Sequence, residues 1–270
     1  MDFSQMCGIM MFVNEQMGHM EKKMAIEVFN RYEKKYRIRD DTYYKLRERL
    51  SEYMEADEHS RDGDFYTICN IYYDTPDNYL IRKSIDGSVY KEKLRLRSYG
   101  VKAPDEKVFL EIKKKYKRLV NKRRTKLQLA EAYQYLQSKE RPELKQYMNH
   151  QVLNEIDYMI HRMDLSPKVF LSYDRCAMFG KDNKDFRVTF DRNITTRRYD
   201  LGLHYGIYGD KLLEEDEWIM EVKIEKAMPL WMTQILSEFQ IYPASFSKYG
   251  TEYKKFVANG CKIDYKGEQK

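Results

Sequence analysis

The densest run of side chains able to do chemistry is YKEKLRLRSYG, residues 90–100. In an extended strand successive side chains point to opposite faces. Lys91, Lys93, Arg95 and Arg97 then share one face, and Glu92, Leu94 and Leu96 the other. The pattern recurs along the chain. In 107–117, Glu111, Lys113 and Lys115 oppose Val108, Leu110 and Ile112; in 119–127, Lys122, Arg124 and Lys126 fall together. In 29–38 the shared face carries Arg31, Glu33, Lys35 and Arg37. Tyr173 and Arg175 pair within 168–180, Arg187, Thr189 and Asp191 within 185–194, and Glu221 and Lys223 within 218–225.

Like charges at neighbouring positions destabilise a sheet unless something anionic compensates. One such strand alone reads as an ordinary solvated face; repetition over several strands does not. Glu33, Glu111, Asp191 and Glu221 are too few to neutralise a dozen cations. A polyanion can, because Arg and Lys bind phosphate oxygens. Carboxylates set among the cations then suit a divalent metal that itself bridges phosphates. The apolar faces must be buried, so the charged faces either form an open surface or line the interior of a closed sheet. The expectation is a polyphosphate-type anion with a metal inside a closed or nearly closed barrel.

The elements that would position these residues form an α+β chain of antiparallel strands flanked by helices. Strands are predicted at 29–38, 65–75, 90–99, 107–117, 119–127, 168–180, 185–194 and 218–225. Helices are predicted at 40–54, 128–138, 142–161, 228–239 and 247–258, with a short helix or turn from Pro76 to about Ile85. No strict βαβ alternation marks a doubly wound sheet. Residues 28–260 read as one domain, preceded by a lead or peripheral helix over 1–27 and followed by a polar tail over 261–270. Hydrophobic residues make up 42% and charged residues 34%, a globular composition. The net charge of +6 does not by itself demand nucleic acid. Cys7, Cys69, Cys176 and Cys261 form no CxxC pair, and five histidines show no ligand spacing, which points to a reducing cytosol and away from zinc. Nothing approaches the roughly 18 apolar residues of a membrane span.

Read in order, RYEKKYRI, IYYDTP, KLRLRSYG, FLEIKKK, VNKRRTKL, SYDRCAM, FRVTFD, MEVKI and SFSKY resemble the VTC domain (polyphosphate polymerase) of the triphosphate tunnel metalloenzyme, or CYTH-like, superfamily. The resemblance implies a tunnel of antiparallel strands with a basic interior. It implies phosphate transfer at Arg95, Arg97, Lys113 and Arg175, with further phosphate contacts from Lys35, Lys93, Lys122, Arg124, Tyr173, Arg187, Ser247 and Lys248. Glu221, with Glu33 and Glu111, would hold Mn²⁺ or Mg²⁺. Two departures stand out: Arg31 replaces the first glutamate of the superfamily ExExK pattern, and Ser245 stands where a lysine is expected.

The activity implied is transfer of the ATP γ-phosphoryl group onto polyphosphate, with pyrophosphate or triphosphate as further ligands. A triphosphatase and a non-catalytic module binding polyphosphate or inositol phosphates are the alternatives. Nucleic acid is disfavoured, because Tyr66, Tyr72 and Tyr73 read as packing residues. The resemblance also implies a cytoplasmic location, peripheral at a membrane if the chain docks on a membrane-protein partner.

Overall fold

The structure is a computed structural model and describes residues 32–58, 65–117, 119–225 and 227–261. Arg31, Cys7, the 1–27 lead and the 262–270 part of the tail lie outside the described residues. Ten strands form one antiparallel sheet: β1 (Tyr32–Arg39), β2 (Met54–Ala56), β3 (Tyr66–Asp74), β4 (Tyr90–Tyr99), β5 (Lys107–Tyr116), β6 (Leu119–Gln128), β7 (Ser166–Gly180), β8 (Arg187–Arg197), β9 (Asp210–Lys211) and β10 (Glu217–Ile224). Six described helices flank it: α1 (Asp40–Leu50), α2 (Tyr79–Ile85), α3 (Leu129–Ser138), α4 (His150–Arg162), α5 (Leu230–Glu238) and α6 (Lys248–Ala258).

The alternation seen in the sequence sets what each face does. Leu94, Leu96, Val108, Leu110 and Ile112 point away from the cations and pack with α3 and α4, through Tyr135, Leu153 and Ile156. Tyr36, Val188, Phe190, Met220 and Val222 do the same against α1 and α5. There Tyr43 of α1 stacks on Trp218 at 3.8 Å between ring centroids and meets Phe190 edge-on at 5.1 Å. The two apolar layers bury the outer side of the sheet, and burial of this kind is the dominant favourable term in folding.

The helix predicted over 142–161 begins only at His150. Lys139 adopts φ of 63° after α3, and the Asn149 side chain accepts from the Val152 amide at 3.1 Å, so the cap at Asn149 sets the start. Strands β2 and β9 are short pairings, with β7 and β8 respectively, that carry no alternation long enough to read in the sequence.

Strand order along the ladder is β1-β10-β8-β7-β3-β4-β5-β6, and among the described residues no backbone pairing joins β1 to β6. The fully closed barrel allowed from sequence is therefore corrected to a curled sheet with an unpaired seam. The curl is nonetheless tight: Lys113 of β5 forms an ion pair with Glu33 of β1 at 3.2 Å, although those strands lie near opposite ends of the ladder. Charged side chains, not amides, span that gap.

Helices α2 and α6 pack on the inner side of the curl, where Ile81 and Tyr249 join Tyr72, Val169, Leu171 and Ile219. Asp74, fully buried at the end of β3, ties this corner together. Its carboxylate accepts from the amides of Thr75 (2.8 Å), Leu80 (2.8 Å) and Ile81 (2.9 Å) and from the Tyr249 hydroxyl (3.1 Å). Burial beside that carboxylate pushes the Tyr249 phenol well above its usual pKa. Asp74→Ala leaves those donors without an acceptor and should cost about 2–4 kcal/mol in urea unfolding, with Asp74→Asn in between. An unchanged urea midpoint for the alanine variant would contradict this role.

A cationic cavity as the candidate functional site

Strands β1, β3, β4, β5, β6, β7 and β10 deliver side chains to one cavity of about 850 Å³. Twelve lysine and arginine side chains line it, against two carboxylates, Glu33 and Glu221. Two more carboxylates, Glu111 and Asp191, sit just behind the wall, holding cations that do line it.

Register explains how the groups meet. On β4 and β5, Arg95 is opposite Glu111 and Lys93 opposite Lys113; on β5 and β6, Lys113 is opposite Lys122. Arg95 Nε donates to Glu111 Oε2 at 2.7 Å and Nη2 lies 2.6 Å from the same atom. Lys122 Nζ is 2.8 Å from Glu111 Oε1, and Arg97 Nε is 3.6 Å from Oε2. Burial would raise the Glu111 pKa, but these three cations hold it well below the usual carboxylate range. Arg97 is aimed by two further acceptors, Asn70 Oδ1 at 3.0 Å and the Tyr173 hydroxyl at 3.2 Å.

Across the cavity Asp191 performs the same service for β7 and α6. Arg175 Nε and Nη2 donate to its two oxygens at 2.6 and 2.8 Å, and Lys248 Nζ reaches Oδ2. Its buried carboxyl would titrate high, yet Arg175 and Lys248 bring it down to about 2. On β1 and β10, Glu33 is opposite Lys223 and Lys35 opposite Glu221, a checkerboard of charge. Glu221 lies 3.2 Å from Lys223 and 3.7 Å from Lys35. Lys35 also donates to the Phe246 carbonyl at 3.1 Å, and Lys93 to the Ser247 hydroxyl at 3.4 Å, so the segment entering α6 forms part of the wall.

Of the residues named from sequence, Glu33, Lys35, Lys93, Arg95, Arg97, Lys113, Lys122, Tyr173, Arg175, Glu221, Ser247 and Lys248 all line this cavity. Ser245 does too. Arg124 and Arg187 do not. Arg124 lies over the Phe109 ring at 4.5 Å, and Arg187 sits 3.7 Å from Asp57 and donates to the Tyr66 hydroxyl at 3.4 Å. Lys91, Lys223 and Tyr72 line the cavity without having been singled out as ligands. Tyr72 was expected to be packing. Strand β3 is buried on both faces, so no polar alternation distinguishes its inner side. Its hydroxyl accepts from Arg95 Nη1 at 3.0 Å.

Among the described residues no group of three or more Asp, Glu, His or Cys side chains is placed to hold one ion. Glu111 is enclosed by Arg95, Arg97 and Lys122, apart from Glu33 and Glu221. The donor set does not make a cage for a resident metal. It does suit a Mg²⁺ or Mn²⁺ that takes one or two carboxylates, Glu221 and Glu33, and draws its other ligands from phosphate and water.

A curled antiparallel sheet with a cation-lined interior and flanking helices defines the triphosphate tunnel class of proteins. Within it the chain belongs to the VTC domain family, whose model matches residues 30–257. No curated protein matched the sequence. Among solved structures, a putative adenylate cyclase from Bacillus halodurans is 17% identical, with a TM-score of 0.50 over 81% of this chain and 95% of that one. A putative adenylyl cyclase from Hippeastrum, described as having a dominant triphosphatase activity, is 14% identical, with a TM-score of 0.50 over 83% and 96%. At such identities the likeness is one of fold. No described helix is long and apolar enough to cross a membrane.

Among the described residues Lys93 has no carboxylate partner in a hydrogen bond or ion pair, and burial, reinforced by Lys113, Lys35 and Arg95, lowers its pKa to about 8. Burial would raise the Tyr72 phenol, but Arg95, Lys93 and Arg97 outweigh it and bring it to about 8. As pH rises through 8 the cavity therefore loses a cation and gains an anion. Tripolyphosphate affinity, corrected for the ligand's own protonation, should be flat from pH 6.5 to 7.5 and fall between 7.5 and 9.5 by calorimetry. Lys93→Met should lower affinity throughout and flatten the fall, whereas a constant wild-type affinity across that range would contradict the assignment.

Proposed function

We propose that the protein is a metal-dependent polyphosphate polymerase that transfers the γ-phosphoryl group of ATP to the end of a polyphosphate chain held in the cationic cavity. The observation that carries this reading is the charge imbalance: twelve cations against four carboxylates, all arranged around one volume. An anion bearing several adjacent charges is the ligand that such a wall stabilises. The VTC family match supports the polymer as acceptor.

Phosphoryl transfer asks for positioning and charge neutralisation more than for covalent chemistry. Arg95 and Arg97 have their guanidinium planes set by Glu111, Tyr72, Asn70 and Tyr173, and Arg175 by Asp191. Held in this way they present fixed donors to equatorial oxygens, while Lys35, Lys113, Lys122 and Lys248 act as point charges. Among the described residues the lining contains no histidine or cysteine. None is needed, because the attacking atom is an already ionised phosphate oxygen. A divalent cation bound with the phosphates at Glu221 and Glu33 would supply further neutralisation of the transferred group.

The second reading is hydrolytic, with water in place of the phosphate acceptor. The triphosphatase activity described for the Hippeastrum neighbour makes it the natural competitor. Incubation with ATP and Mn²⁺ distinguishes the two: a ladder of polyphosphate on a stained gel supports the polymerase, and orthophosphate alone the hydrolase. Glu221→Gln and EDTA should each remove turnover while sparing most of the affinity for tripolyphosphate. The double variant Arg95→Gln, Arg97→Gln should weaken that affinity by about 100-fold or more, since each charge-assisted contact is worth roughly 1.5–3 kcal/mol. Undiminished affinity in a folded double variant would remove the phosphate assignment under both readings.

A further inference from the structure

Beside and beyond Arg97 and Arg175 on the inner face, the chemistry of the wall changes. Tyr99 follows Arg97 on β4, Arg124 follows Lys122 on β6, and Tyr66 of β3 is opposite Arg175 of β7. Phe109 of β5 is opposite both Arg97 and Lys126. The three rings form a chain, with Tyr99 centred 5.8 Å from Tyr66 and 6.0 Å from Phe109, the latter edge-on. Arg124 lies over Phe109 at 4.5 Å and Lys126 at 5.8 Å. Tyr99 is 41% exposed.

Inside the cavity the arginines are clamped by carboxylate, amide and phenol oxygens, which leaves them suited to tetrahedral anions. Among the described residues Arg124 makes no such contact; its partner is a ring. Aromatic faces with a guanidinium alongside recognise a flat π-system, and base stacking of this kind is tolerant of base identity. Same-face neighbours on a strand are about 7 Å apart, a spacing that a ribose can bridge between phosphate and base.

We propose that Tyr99, Phe109, Tyr66 and Arg124 form a nucleobase platform at this end of the curl, on which a nucleoside triphosphate stacks its base while its phosphates enter the cationic cavity. The proposal rests on the phosphate reading of the cavity and adds where the base of the nucleotide is held, and with it a preference for the nucleotide over inorganic triphosphate. It also makes Tyr99 a determinant of that preference.

The test compares adenosine 5′-(β,γ-imido)triphosphate with tripolyphosphate, both with Mg²⁺, by calorimetry. Tyr99→Ala should weaken the nucleotide analogue about tenfold, a typical stacking loss, and leave tripolyphosphate within twofold. Tyr99→Phe, which keeps the ring, should match wild type for both. Saturation-transfer NMR on the unaltered protein gives a second readout: irradiating protein aromatic protons should attenuate the adenine signals more than the ribose signals. Equal losses for the two ligands, or no loss for either, overturn the platform while the phosphate site stands. Adenine signals no more attenuated than ribose signals overturn it too. If tripolyphosphate itself fails to bind wild type, the phosphate reading fails and the platform falls with it.

Discussion

The structure depends on how positive charge is tolerated at close quarters. Twelve cations facing one cavity repel each other strongly in a medium less polar than water. The protein answers with a few carboxylates, most of them placed to hold two or three cations at once. Glu111 serves Arg95, Arg97 and Lys122; Asp191 serves Arg175 and Lys248; Glu221 serves Lys35 and Lys223; Glu33 serves Lys113. These pairs orient the cations without neutralising them. The remaining excess gives the cavity its positive character.

That excess has an energetic cost, and the opposite side of the sheet offsets it. Many of the residues alternating with the cations are apolar and buried, under α3 and α4 on one half and α1 and α5 on the other. A two-sided division of labour follows: stability resides in the outer layers and function in the inner face. Where α2 and α6 cross to the inside, the division is relaxed. Tyr72 and Tyr249 stack there at 4.8 Å, and Asp74 links α2 and α6 to β3.

Much of this was legible one strand at a time. The alternation in 90–99 and 107–116 identified the inner face correctly, because period-2 geometry leaves no other choice once one face is apolar. Tyr72 escaped notice for the converse reason. In β3 both faces are buried, so residue type alternates without a polarity contrast. Arg124 matched the cationic pattern of its strand yet ended beside Phe109, since a curled sheet gives same-face residues different surroundings according to their height. Glu111 likewise carries the residue type of a metal ligand, but three cations enclose it.

By itself the sequence determined which side chains share a face, where most helices and strands lie, and that positive charge gathers on the polar faces of several strands. These are local consequences of backbone periodicity and of charge repulsion between neighbours. Only the tertiary structure decided how far the curl closes, which carboxylate holds which cation, and that Lys113 reaches Glu33 across the seam. Those outcomes turn on contacts between residues far apart in the chain, 80 positions for Lys113 and Glu33. Strand order, register and twist set them jointly, and no single segment contains that information.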